Sequence, residues 1–177
     1  MKTYQTAPKH VREIVDHLLK KFYPRILAEK PRIDLLTVAH DSEGSALKHA
    51  GYDAQAVIRV VGLKDRAAGR GDLEIVIDEV NYNRLTDEQR VALLDHELYH
   101  VTLKTDKEGV VKRDGADRPK FGMRKHDRQL GWFDEIARRH GDNAAEVIQA
   151  RALIEQAGQV YFPFMKSVLS APKAKAA

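Results

Sequence analysis

The chain has 177 residues, 43% of them apolar and 32% charged, with no cysteine. This suits one water-soluble domain with a continuous core, and it excludes a disulfide framework or a thiolate metal site, so any metal must be held by His, Asp or Glu. No apolar run reaches the roughly 18 residues a membrane span needs, and the early charges Lys2, Lys9, Arg12, Glu13, Asp16 and Lys20 leave no room for a secretory signal core, so a cytoplasmic protein is expected.

From Pro8, the residues Val11, Ile14, Val15, Leu18, Leu19 and Phe22 recur at helical spacing, with Arg12, Glu13, Asp16 and Lys20 on the opposite side. This spacing predicts an amphipathic opening helix that ends near Pro24. After Pro31, Ile33 to Ala39 reads as a short strand, followed by a polar break from Asp41 to Gly44. The β-branched run Val57 to Val61 and the run Leu73 to Asp78 flank a turn-prone Arg-Gly segment and suggest a hairpin.

The pattern then returns to helix. Thr86 stands as N-cap with Gln89 three residues on, and Asp87 and Glu88 fall in the first turn, where the helix dipole favours negative charge. Val91, Leu94, Leu98 and Val101 form an inward stripe, predicting a helix from about Asp87 to Leu103. Next comes a Gly- and Lys/Arg-rich segment expected to be a solvated loop. Residues 104–128 hold nine Lys or Arg against five Asp or Glu, an excess as large as the formal +4 of the whole chain. Such a segment could meet an acidic surface, nucleic acid included. Further helices are expected from about Asp127 to His140, stopped by Gly141, and from Asn143 towards Tyr161, with a disordered tail over 171–177.

His96-Glu97-Leu98-Tyr99-His100 is an H-E-x-x-H motif inside the best-supported helix. Histidines four residues apart share one helical face and can reach one ion, and zinc accepts nitrogen at about 2.0 to 2.1 Å. Glu97 lies about 100° round the helix, placed to take a proton from a water activated by the metal. A catalytic zinc takes a third protein ligand. The metzincin spacing would require Gly at 103 and His at 106, where this chain has Leu103 and Asp106, so that subclass is excluded. His126, just past the basic segment, is the best candidate, with Asp127, Asp134 and Glu135 near enough in sequence to orient a ligand. Asp134, Glu135 and His140 are the fallbacks, Glu135 first among them. His10, His17, His40 and His49 show no metal-like spacing and read as surface or core groups. Trp132 and Phe133 read as core, and Tyr82, Tyr99 and Arg124 are candidate donors to a developing oxyanion.

Asn83-Arg84-Leu85-Thr86-Asp87-Glu88-Gln89-Arg90 with Ala92-Leu93-Leu94-Asp95-His96-Glu97-Leu98-Tyr99-His100, then Arg124-Lys125-His126-Asp127, Phe133-Asp134-Glu135-Ile136 and Arg139-His140-Gly141, closely resemble the putative phage metallopeptidase family. That family is similar in layout to the SprT and Spartan zincins. The resemblance implies His96, His100 and His126 as ligands of one Zn2+ and Glu97 as general base, and a phage or prophage origin. SprT-like proteins often add a Cys-rich zinc ribbon, which these cysteine-free residues cannot form, so DNA targeting by that route is not expected. The expected protein is an α+β, zincin-like domain over residues 1–170. In it, an approximately three-stranded sheet packs on the opening helix and the H-E-x-x-H helix, and a protein or peptide substrate adds to the sheet edge beside the metal. The rival reading is a nucleic-acid- or protein-binding module that holds a structural metal and contacts its partner through residues 104–128.

Overall fold

The computed structural model describes residues 1–41, 44–126 and 132–156, the side chains of 155 and 156 excepted. In chain order they are β1 (Lys2–Thr6), α1 (Lys9–Phe22), α2 (Pro24–Ala28), β2 (Ile33–His40), β3 (Lys48–His49), β4 (Tyr52–Asp53), β5 (Ala56–Val60), α3 (Leu63–Ala67) and β6 (Leu73–Asp78). There follow α4 (Glu79–Asn83), α5 (Asp87–Tyr99), β7 (Val101–Leu103), β8 (Phe121–Met123), α6 (Asp134–His140), a 3₁₀ turn at Gly141–Asn143 and α7 (Ala145–Gln156). The architecture is α+β. No helix among the described residues is long and apolar enough to cross a membrane.

The main sheet has four strands in the order β1-β2-β6-β5, not three. β2 and β6 run parallel, with Leu35 opposite Ile75, while β1 and β5 add antiparallel at the two edges. The fourth strand, β1, escapes sequence reading because all five of its residues are exposed, so it carries no alternation of apolar and polar positions. The expected hairpin is the antiparallel β5/β6 pair, with α3 inserted in its connection.

Packing follows the apolar stripes. Val11, Val15, Leu18 and Leu19 of α1, Leu94 and Leu98 of α5, and Leu35, Ile58, Leu73, Ile75 and Ile77 of the sheet form one buried cluster. Leu94 is wholly buried, so truncating it to Ala should cost about 3 kcal/mol or more in lost transfer energy and cavity. Between the inward residues of β6, Glu74 is buried on the opposite face and is ion-paired with Arg59 and Arg70.

α5 begins as expected: Gln89 N–H donates to Thr86 Oγ1 at 3.3 Å and Thr86 N–H to Gln89 Oε1 at 3.0 Å, a complete capping box. It ends four residues earlier than expected. His100 is its C-cap, and Val101–Leu103 leave the helix to pair with Phe121–Met123, a β-branched, extended run that the ladder captures.

The basic segment is a folded ribbon. β7 pairs with β8, and isolated bridges join Thr105 to Val111 and Arg113 to Pro119, so three short extended stretches pair with one another in turn. At their junction Lys104 N–H donates to Lys120 O, Lys112 N–H to Lys104 O and Lys120 N–H to Lys112 O, at 2.8 to 2.9 Å. Buried Arg66 of α3 meets Asp72 and Asp114, while Arg118 reaches Asp72 at 2.8 Å, and Arg113 reaches Glu29 at 2.6 Å. Charge pairing therefore holds this ribbon against the body, although its composition reads as a loop. Of the last two expected helices, one is described over Asp134–His140 and ends at Gly141 (φ 51°), the other over Ala145–Gln156. Positions 127–131, and the tail expected over 171–177, lie outside the described residues.

Candidate metal centre

His96 and His100 occupy the last turn of α5, and β8 brings the chain back so that His126 stands beside them. One ring nitrogen of each lies within 4.8 Å of the others. His96 Nε2 and His126 Nε2 are 3.3 Å apart. In a tetrahedral site with zinc–nitrogen bonds of about 2.05 Å, neighbouring ligand nitrogens stand about 3.3 Å apart. The His96–His126 pair thus has the spacing of two ligands of one ion, and the three histidines together could hold a metal.

The outer nitrogens are held. His100 Nδ1 lies 2.9 Å from Arg124 O, and His96 Nδ1 lies 2.7 Å from Glu146 Oε1. A backbone carbonyl and a carboxylate only accept, so each Nδ1 carries the proton and each Nε2 keeps a free lone pair. Phe133, wholly buried, floors the group, with its ring centroid 4.8 to 4.9 Å from those of all three histidines. Its aromatic surface fixes the rings by packing, a role beyond the core position that sequence assigns it.

The electrostatics differ from ring to ring. Burial pulls the His100 pKa down to about 4, against its hydrogen bond to the Arg124 carbonyl and helped by the neighbouring histidines. Burial acts the same way on His96, but the Glu146 hydrogen bond and the charges of Glu97, Glu146 and Asp95 outweigh it and raise the value. Glu97 is buried, and desolvation raises its pKa against the lowering influence of His96, the Ile58 N–H and His49. Ile58 N–H, on the side of β5 facing away from β6, donates to Glu97 Oε2 at 2.8 Å. The main-chain group expected to receive a substrate strand is, at this position, already engaged by Glu97.

The remaining sequence candidates are placed elsewhere. Glu135 pairs with Arg138 and Arg139, at 2.7 and 3.1 Å, and His140 Nε2 lies 2.8 Å from Asp95 Oδ2. Neither joins the three histidines. Asp134 opens α6 beside Phe133, and Asp127 is outside the described residues. Tyr82 is buried and stacked on His10, with Arg90 over its ring. Tyr99 packs edge-on against Phe133, and Arg124 lies 4.0 Å over its ring. Of the three oxyanion candidates, Tyr99 and Arg124 therefore border the histidines and Tyr82 faces α1.

Two neighbours were missed by sequence reading. Glu146 lies fifty residues beyond His96, and no local pattern marks it. His49, at the β3–β4 hairpin, is exposed and yet close enough to act electrostatically on both Glu97 and His100. Behind the centre, wholly buried Asp95 accepts from Tyr23, Arg139 and His140, anchoring α5 to α1 and α6.

A family model described as "Putative phage metallopeptidase" matches residues 2–157. No curated protein and no solved structure matches the chain.

Proposed function

The chain belongs to the putative phage metallopeptidase family, and from that premise we propose that it is a zinc-dependent peptidase with a zincin-like site, its ion held by His96, His100 and His126. The observation that carries this reading is the convergence of three imidazoles, one nitrogen of each within 4.8 Å of the others, beside a buried carboxylate. With nitrogen donors only and no cysteine in the chain, zinc is the metal the set suits best. Zinc there would supply Lewis acidity, making a water acidic near neutral pH and polarising a peptide carbonyl.

The protein's part is positioning and proton transfer. Glu97 takes the proton of the attacking water on Oε1, because Oε2 is held by Ile58 N–H. Its raised pKa makes it a better base than an exposed glutamate and leaves it able to pass the proton to the departing amine. Arg124, its guanidinium over the Tyr99 ring beside the histidines, is the side chain we assign to stabilise negative charge on the former carbonyl oxygen, with His49 as a second hydrogen-bond donor. Glu146 and Arg124 O hold two of the rings in the tautomer that offers Nε2.

The test is Glu97→Gln, which keeps the size and the Ile58 bond but not the base. The variant should retain zinc while peptide hydrolysis falls by roughly 10² to 10⁴-fold. Undiminished cleavage would refute the role given to Glu97.

A further inference from the structure

The ribbon that delivers His126 has two unlike faces. Val101 and Phe121 are buried in the core, and Leu103 packs against it. On the outward face a Cβ at Gly122 would meet Thr102 Oγ1 at 2.9 Å and Lys104 Cε at 3.5 Å, so Thr102, Lys104 and Gly122 share one side. Alternation along the strand puts Lys120 and Arg124, two residues either side of Gly122, there too. Lys112 joins Lys104 and Lys120 at the three-way junction of backbone hydrogen bonds.

The three aspartates between Lys104 and Lys120 are engaged within the ribbon or with the body. Asp114 accepts from Arg118 N–H and pairs with Arg66; Asp106 accepts from the N–H groups of Glu108 and Val110; Asp117 pairs with Arg113. Lys104, Lys112, Lys120 and Arg124 are all exposed along this stretch. Its end is tied to the metal centre, because Arg124 exchanges hydrogen bonds with His100 through both its N–H and its carbonyl. The ion pairs that fix the ribbon to Arg66 of α3 and to Asp72 order these charges before any partner arrives, so little entropy is lost on binding.

We propose that this face is a substrate-docking surface that selects polypeptides with acidic residues flanking the bond to be cut. Lys120 to Arg124 spans about 13 Å at strand pitch, the length of about four residues of an extended peptide. A polypeptide is favoured over a nucleic acid for two reasons. Among the described residues, Thr102, Lys104, Lys120, Gly122 and Arg124 of this face offer no aromatic ring on which bases could stack, and the face leads into a centre read here as cutting peptide bonds. Its link to cleavage rests on that reading, whereas the binding surface itself does not.

Zinc-loaded protein is titrated into a fluorescein-labelled oligoglutamate peptide and, separately, into labelled oligothymidylate, with anisotropy read at low and high salt. Oligoglutamate should bind, more weakly at high salt, with an affinity that falls about tenfold or more in Lys104→Glu/Lys120→Glu, given up to about 1 kcal/mol per exposed pair. A control, Lys2→Glu/Lys9→Glu, should bind as the wild type does. Equal affinity in wild type and the ribbon variant, absence of oligoglutamate binding, or tighter oligothymidylate binding lost in the same variant would overturn the proposal. In parallel, sites cut in a peptide mixture from a denatured proteome should be enriched in Asp and Glu within about four residues of the cut, and the ribbon variant should lose that enrichment. If neither protein cuts anything, the peptidase reading fails while the anisotropy still decides the surface.

Discussion

Replacing Glu146 tests whether the centre is built as described from its second layer of residues. Its carboxylate is almost wholly buried, and its Oε1 accepts from His96 Nδ1 at 2.7 Å. A hydrogen bond to a charged acceptor contributes about 1.5–3 kcal/mol, and part of that energy fixes the ring whose Nε2 we propose as a ligand. Loss of such an orienting partner weakens metal affinity by about 10- to 100-fold. Glu146→Gln can still present a carbonyl oxygen to Nδ1 and should sit near the lower figure, while Glu146→Leu leaves the nitrogen without an acceptor and should reach the upper. Zinc affinity is read by competition with a chromogenic chelator, and circular dichroism checks that both variants fold. Unchanged affinity in both folded variants would refute the positioning role.

Asp95→Asn should destabilise the protein by about 3–5 kcal/mol, because Arg139 loses a fully buried partner. Burial raises the Asp95 pKa, but the hydrogen bonds from His140 and Tyr23 and the charge of Arg139 bring it below its ordinary value. A depressed folded pKa stabilises the protein above the unfolded value of about 3.9 and loses that stabilisation as pH falls through the folded value. Urea unfolding should therefore show a gap between wild type and variant that is constant above about pH 5 and narrows only below about pH 4. Asp72→Asn removes the carboxylate shared by Arg66 and Arg118 and should free the ribbon, so tryptic cleavage between 104 and 120 should quicken at least tenfold relative to the rest of the chain. Phe133→Ala removes the floor beneath three imidazoles; it should cost about 3–5 kcal/mol of stability and weaken zinc binding. A ring array fixed only by its hydrogen bonds would keep its affinity.

What the sequence makes legible follows from the range of each interaction. α1, α5, β2 and β6 announce themselves because a buried face imposes a period on neighbouring residues, and the capping box at Thr86 is local too. β1 is exposed along its length and shows no period. The ribbon over 101–123 was missed because long-range charge pairs hold it, with Arg66 and Asp72 far from it in sequence. Its capture of Val101–Leu103 also shortened α5. The spacing of His96 and His100 is a property of one helix and is therefore visible. His126 follows from position alone once the ribbon is given, whereas Glu146 and His49 reach the centre only through tertiary folding. Glu135 and His140, chemically suitable as ligands, are drawn instead to Arg139 and Asp95, which no one-dimensional pattern foretells.

The most direct test of the metal centre is the zinc content of purified protein, measured by elemental mass analysis after mild chelation and return of zinc, for wild type, His96→Ala and His126→Ala. A stoichiometry near one zinc per chain, lost in both variants, is the expected result. Zinc retained by His126→Ala would contradict the three-histidine centre, and a wild type that takes up no zinc would contradict the peptidase itself.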